Sequence, residues 1–412
     1  MLKGNFPIEQ FVTQRTPFYY YDMELLGQTL RTIRQEMSLM PDCEMHYAVK
    51  ANFNPRILRA IAAAGFGADC VSGGEIKAAL AAGFPSGKIV FAGVGKSDEE
   101  IVLGLEKGIS RFNVESAAEL EVINAFAAAR GVKAPVSIRV NPDIGAHTHA
   151  NITTGLAENK FGINLEQLDE IMELVLSLPA IEYKGLHFHI GSQITDMSDF
   201  VALCNRINNI QDDFEHKGIP VGDINVGGGL GINYEHPNHL PLADFHSYFE
   251  TFRRHLVRRH GQTLHFELGR SIVAPCGSLI CKVLYVKEGT HKRFAIVDGS
   301  MTELLRPALY HAYHRIEHLG SPLDSASAAK QPGDVTGAEP LSIVSEQPEL
   351  LYDVVGPVCE SSDVFAKAVS LPQCRRGDYV AIRSAGAYGE SMSSGYNCHE
   401  LPGSFFDGEP NV

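Results

Sequence analysis

Four stretches of the chain hold residue types that could act together on one small molecule. Lys50 ends the run His46-Tyr-Ala-Val-Lys50, where a solvated amine is out of place after an apolar strand. A desolvated lysine loses basicity and forms Schiff bases with carbonyl compounds. Taken alone, it reads more readily as a lysine snorkelling from a strand end. Gly227-Gly228-Gly229-Leu230-Gly231 gathers bare backbone amides that can surround a phosphate, although a tight turn uses the same residues. His187, His189 and Ser192 bring two imidazoles and a hydroxyl to the end of another apolar run. An H-x-H pair can bind a metal, but no third ligand stands at a suitable spacing, so no metal is expected. Glu267-Leu-Gly-Arg270 places a carboxylate where a buried anion needs a cationic partner, and a protonated pyridine nitrogen meets that need. A Schiff-base lysine, a phosphate cradle and an acid for a pyridinium together describe a pyridoxal-phosphate site. No G-x-x-x-x-G-K-[ST] occurs, and no dinucleotide fingerprint opens the first strand–helix unit, so a P-loop and a Rossmann site are not expected.

The elements that must position these residues are legible in the hydropathy pattern. Strand-like runs fall at Met45–Val49, Phe66–Val71, Lys88–Phe91, Arg111–Val114, Val136–Val140, Tyr183–His189, Asp223–Val226 and Leu264–Glu267. Helical patterns lie between them. Ser72 with Glu75 and Ser116 with Glu119 read as capping boxes, in helices that close at Gly83 and Gly131. Asn164 with Gln167 opens another, and longer helices are expected over Ser198–Lys217 and Leu242–His260. Strands alternating with helices imply parallel pairing through crossovers, and eight units fit an α/β fold of the (β/α)8 barrel type over 27–280. An open doubly wound sheet is the alternative, because counting units does not show closure. The candidate residues all fall at strand C-terminal ends, where such barrels carry their chemistry. After Cys281 the texture turns β-rich, predicting a β domain built from 281–412 and completed by 1–26, with Pro17–Tyr21 as an added strand. Residues 321–340 read as a flexible surface insertion.

Composition narrows the function classes. The chain has 412 residues, 44% of them apolar and 20% charged, with a net charge of −14. That is enough apolar chain for a large core, and the acidic balance disfavours nucleic acid and anionic membranes as partners. No apolar run reaches the ~18 residues of a membrane helix, and MLKGNFPIEQ does not read as a signal peptide. Eight cysteines without a C-x-x-C pair suggest a reduced, cytoplasmic setting, with most of them small buried hydrophobes and Cys359 the exception.

Ten stretches, in order, are similar to one family: HYAVKAN (46–52), GFGADCVSGGE (65–75), RVNP (139–142), THANITTGLAENKFGI (148–163), GLHFHIGSQI (185–194), NVGGGLG (225–231), ELGR (267–270), MTELLRPALY (301–310), GPVCESSD (356–363) and GAYGESMSSGYN (386–397). The chain resembles the alanine-racemase-like, fold-type-III pyridoxal-phosphate decarboxylases over nearly its whole length. The resemblance implies a (β/α)8 barrel plus C-terminal β domain, pyridoxal 5'-phosphate as cofactor and a homodimer sharing its active sites. By resemblance, Lys50 carries the cofactor, His189 stacks on its ring and Glu267 pairs with the pyridine nitrogen. Ser192, Gly227, Gly228, Gly229, Gly269, Arg270 and Tyr388 match the phosphate-binding positions, while Asp69 and Arg139 match positions that support the Lys50 and cofactor-oxygen side. Arg270, Arg306, Tyr310, Glu360 and Tyr388 match the substrate-binding positions. Cys359 matches a proton donor supplied from the partner subunit. The implied reaction is decarboxylation of meso-2,6-diaminopimelate to L-lysine and CO2. A decarboxylase of ornithine, arginine or a carboxylated polyamine is the alternative, although Arg306 suits a distal carboxylate better than a distal ammonium.

Overall fold

The computed structural model describes residues 4–144, 160–321, 348–410 and 412. Most of the THANITTGLAENKFGI stretch and nearly all of the expected insertion at 321–340 therefore lie outside the described residues. The chain divides into two compact units. One comprises Met1–Met23, Asn233–Pro241 and Ala274–Gly408, and the other Glu24–Ile232, Leu242–Val273 and Glu409–Val412. Among the described residues no helix is long and apolar enough to cross a membrane.

The first strand, β1 (Phe18–Asp22), belongs to the β-rich unit. Eight strands then form the second unit's sheet: β2 (Cys43–Ala48), β3 (Gly67–Cys70), β4 (Ile89–Phe91), β5 (Arg111–Val114), β6 (Ala134–Val140), β7 (Ile181–Phe188), β8 (Asp223–Asn225) and β9 (Leu264–Leu268). Each pairs in parallel with the next, and β2 also pairs with β9, from Cys43 opposite Leu264 to Tyr47 opposite Leu268. The sheet is a closed barrel, which excludes the open-sheet alternative.

Strand alternation explains why polar groups collect inside. On β9, Phe266 points outward and its ring packs against Tyr248, Phe249 and Phe252 at 4.9–5.8 Å, on the helix Phe245–His255. A period of two then turns His265 and Glu267 inward. Burying each such aromatic contributes roughly 1.5–3 kcal/mol, so a one-residue slip that reversed these faces is strongly disfavoured.

The helix ends mostly follow their signals, with three differences. Ser72 and Ser116 accept from the amides of Glu75 and Glu119 as expected. The two glutamates, however, reach past the cap to the amides of Val71 and Glu115, so neither box is reciprocal. The reciprocal box is at Ser97 and Glu100. Asn164 accepts from the Asn141 side chain and opens only a 3-10 turn, with the α-helix beginning at Leu168. The helix expected over Leu242–His260 is shorter, Phe245–His255, because Asp244 caps it by accepting from the Ser247 amide.

The β-rich unit adds β10 (Gly277–Glu288), β11 (Arg293–Val297), β12 (Ile316–Gly320), β13 (Glu349–Val355), β14 (Val364–Pro372), β15 (Tyr379–Ile382) and β16 (Gly403–Asp407). They run in the order β12-β15-β10-β11-β13-β14, and β1 pairs antiparallel with β10 and parallel with β16. The expected N-terminal strand is thus present. Phe18 and Tyr20 face a core with Phe11, Tyr379 and Phe405, while Tyr19 on the opposite face donates to the Glu303 carbonyl at 2.6 Å. β12 buries polar groups rather than an apolar stripe: Glu317 pairs with Arg383 at 2.9 Å, and His318 Nε2 lies 2.8 Å from Asp378 Oδ2.

Candidate active site

The barrel's inward side chains build a polar cluster around Glu267. Register places Arg139 opposite His187, His187 opposite Asn225, and Asn113 opposite Ser137. Glu267 Oε2 lies 2.9 Å from His187 Nε2, while Oε1 accepts from Asn225 Nδ2 at 2.7 Å and Asn113 Nδ2 at 3.1 Å. Burial alone would raise this carboxyl, but His187 and the amide donors outweigh it and hold the group well below the usual carboxylate range. Glu267 is therefore a buried, ionised acid.

Asp69 shows the opposite outcome. Burial first, then the charge of Glu267, pushes it up to about 8 against the pull of Lys50. Lys50 Nζ stands 3.8 Å from Asp69 Oδ2, on a 3-10 turn (Val49–Ala51) directly after β2, and its side chain is 42% exposed. Asp69 Oδ1 is buried without a hydrogen-bond partner. Arg139 Nη1 donates to Glu115 Oε1 at 2.9 Å, and its guanidinium lies 4.8 Å from the centre of the Phe161 ring. Burial, then the charges of Arg139 and Lys50, presses the His189 imidazole well below its ordinary range, so the ring is neutral.

The glycine loop is built for close approach. Gly227 has φ +70°, and a Cβ there would fall 2.3 Å from the Phe188 carbonyl oxygen. A Cβ on Gly228 would fall 2.0 Å from the Glu267 carbonyl oxygen. Only glycine keeps β7, β8 and β9 at this spacing. The Gly228 amide donates to His189 Nδ1 at 3.4 Å, and Arg270 reaches Ser192 Oγ through Nη2 at 3.0 Å. Gly269 is packed on Ala48 and Ala51, each 3.0 Å from where its Cβ would sit.

These residues fit pyridoxal phosphate. The barrel offers an amine beside an acid, a glycine-lined backbone with a hydroxyl and a guanidinium for a phosphate, and a fixed carboxyl group for a pyridinium. The unpartnered Asp69 Oδ1 supplies a buried polar atom still in want of a partner.

The β-rich unit holds the other predicted residues. Arg306 is buried; its Nη1 donates to Tyr234 Oη at 3.0 Å and to His314 Nε2 at 2.8 Å. His314 Nδ1 in turn donates to the Arg383 carbonyl at 2.8 Å, which sets its tautomer. Tyr310 ends the short helix Arg306–Tyr310 and is half-buried. Asp363 ties two of the recognised stretches together, accepting from the Met301 amide at 2.7 Å and the Val358 amide at 2.9 Å. Cys359 is exposed on that loop, and Glu360 Oε1 accepts from Tyr396 Oη at 2.8 Å. Tyr388 has φ +55°. Cys359 is not alone in its exposure: Cys398 is exposed too, while burial pushes the Cys204, Cys276 and Cys374 thiols up.

Sequence reasoning brought Lys50 to Asp69 and Ser192 to Arg270, but missed the partners that set their chemistry. Asn113 and Asn225 were detectable as polar residues between apolar neighbours on strands. Glu115, which accepts from Arg139 and from the Gly93 and Gly162 amides at 3.0 Å, had no such signal. Neither had Tyr234 and His314.

Comparison with known proteins agrees with this chemistry. A family model described as pyridoxal-dependent decarboxylase, pyridoxal binding domain, matches residues 26–274. A Bacteroides thetaiotaomicron protein named diaminopimelate decarboxylase is 59% identical over 401 residues, 97% of this chain and 98% of that one. A Pseudomonas aeruginosa protein of the same name is 42% identical, over 93% of this chain and 85% of that one. The crystal structure of Helicobacter pylori diaminopimelate decarboxylase complexed with L-lysine superimposes with a TM-score of 0.85 at 39% identity, covering 97% of this chain and 93% of that one. The chain belongs to the diaminopimelate decarboxylases, within the pyridoxal-dependent decarboxylase family.

Proposed function

We propose that this chain decarboxylates meso-2,6-diaminopimelate to L-lysine and CO2, the last step of lysine biosynthesis, with pyridoxal 5'-phosphate as cofactor. The observation that carries the reading is the buried Glu267 carboxyl group, held by His187, Asn113 and Asn225. When bound, the cofactor supplies an electron sink for the carbanion left by CO2 loss. Glu267 keeps a negative charge where the ring nitrogen must hold its proton. Lys50 Nζ would hold the cofactor, His189 would lie against it as a neutral ring, and Asp69 and Arg139 would support the Lys50 side. Ser192, Gly227, Gly228, Gly229, Gly269, Arg270 and Tyr388 would hold the phosphate.

In the same reading, Arg270, Arg306, Tyr310, Glu360 and Tyr388 bind the substrate. Arg306 is oriented by Tyr234 and His314, and a guanidinium so fixed suits the carboxylate of a second amino-acid head. A diamine-forming decarboxylase must instead receive a distal ammonium with an acid. The Cys359 Sγ–H delivers a proton to the carbon that lost CO2, and Cys359 comes from the partner subunit of a homodimer. A cytoplasmic setting suits eight free cysteines.

The deciding experiment measures CO2 release from diaminopimelate, ornithine, arginine and lysine in parallel. Release from diaminopimelate alone, with L-lysine formed in equal amount, is expected; release from ornithine or arginine instead overturns the substrate assignment. Arg306→Ala should raise KM for diaminopimelate about 10- to 100-fold, the value of one or two lost charge-assisted hydrogen bonds, with cofactor occupancy unchanged. Cys359→Ala should keep the cofactor spectrum and lower kcat by ~10²–10⁴-fold. An unchanged kcat would assign the proton to another group.

A further inference from the structure

The barrel carries a second cluster of ionisable groups, on the seam where its first and last strands meet. There β2 and β9 pair with Glu44 opposite His265 and His46 opposite Glu267. His46 and His265 are buried, while the Glu44 side chain is 41% exposed. His46 Nε2 lies 3.0 Å from His265 Nδ1, and Glu44 Oε2 is 3.8 Å from each of these nitrogens. A tetrahedral ion with bonds of ~2.0–2.1 Å spaces its ligand atoms roughly 3.3 Å apart. The triangle already has that size. Glu267, one layer along, is engaged by its own three donors and takes no part.

The outer ring nitrogens are placed as they are in metal-bound imidazoles. His46 Nδ1 lies 3.2 Å from the Lys88 carbonyl oxygen, and His265 Nε2 lies 3.6 Å from Asp223 Oδ2. A backbone carbonyl or a carboxylate at that position orients a ligating histidine. Asp223 is itself fixed by the Thr263 amide at 3.0 Å and by Arg111 Nη2 at 3.1 Å. The Arg111 charge is thus directed at Asp223.

Two close contacts, Lys88 O to His46 Nδ1 and His46 Nε2 to His265 Nδ1, take up the two ring hydrogens that neutral imidazoles carry. His265 Nε2 is then left as a buried nitrogen without a hydrogen-bond partner, 3.6 Å from the Asp223 carboxylate. A cation between His46 Nε2 and His265 Nδ1 releases both ring hydrogens to the outer oxygens.

We propose that Glu44, His46 and His265 bind one zinc-type divalent transition-metal ion, with water at the exposed Glu44 side as fourth ligand. Imidazole and carboxylate donors suit such an ion, and its place on the seam would staple β2 to β9. The site is separate from the decarboxylase reading and does not depend on it.

The test uses the cofactor-loaded enzyme, stripped of metals with a chelator and titrated with Zn²⁺ by calorimetry and with Co²⁺ by visible absorption. One ion per chain, four-coordinate Co²⁺ bands without thiolate charge transfer, and a raised Tm are expected. Glu44→Gln, at a partly exposed position that spares the fold, and His265→Gln should each weaken binding by at least ~10–100-fold. No binding at all overturns the site, leaving a shared proton only. Binding undiminished in both variants, or a thiolate charge-transfer band placing the ion on a cysteine, overturns it as well.

Discussion

A Lys50→Ala chain is expected to fold, to lose the absorption band of bound cofactor, and to lose at least ~10⁴-fold in kcat/KM. Folding survives because the group left behind can adapt. Lys50 is the cation that pulls on Asp69, and without it a carboxyl already pushed up to about 8 simply stays protonated. A neutral acid avoids the large penalty of an unpaired buried charge. Lys50→Arg separates the two roles, since it keeps the charge beside Asp69 but cannot replace the amine. Both variants should share the loss of absorption, measured by titration with pyridoxal phosphate. A normal spectrum in Lys50→Ala would remove Lys50 from the cofactor site.

Glu267 makes the second large effect, and the choice of substitute decides which property is lost. Glu267→Ala leaves three donors facing a cavity and should cost about 3–5 kcal/mol, read as a lowered Tm. Glu267→Gln should cost far less. Its carbonyl still accepts from Asn113 and Asn225, and its amide can donate to His187 Nε2 when that ring carries its hydrogen on Nδ1. His187 Nδ1 has no hydrogen-bond partner, so a hydrogen there breaks no contact. What Glu267→Gln loses is the charge, and kcat should fall by ~10²–10⁴-fold with the fold intact.

The pH dependence has a definite sign. A carboxylate held below its unfolded pKa of about 4.3 contributes stability that is complete above that value and is lost as pH falls beneath it. The Tm difference between the native chain and Glu267→Gln should therefore narrow as pH is lowered from about 5. A constant difference would mean that Glu267 is not ionised in the folded chain.

The residues proposed to do chemistry were legible in sequence because each interrupts a local pattern. Lys50 ends an apolar strand, Glu267 interrupts another, and Gly227–Gly229 abolishes side chains where two strands continue. Parallel pairing through crossovers followed from the alternation of strands and helices, which depends on hydrophobic period alone. Closure of the barrel did not, because the hydrogen bonds from β2 to β9 join residues more than two hundred positions apart.

Ionisation states also lay beyond the sequence. Asp69 and Glu267 are both buried acids, yet one is pushed up and the other held down. The difference is three donors contributed by β5, β7 and β8, which no local pattern specifies. The same holds for Arg306, whose orientation depends on Tyr234 and His314, and for His46, whose partner His265 is met only when the barrel closes. Local periodicity determined the elements and the reactive side chains of this protein. Register between distant strands decided their partners, because electrostatics and hydrogen bonding act through space over a few ångströms and are blind to separation along the chain.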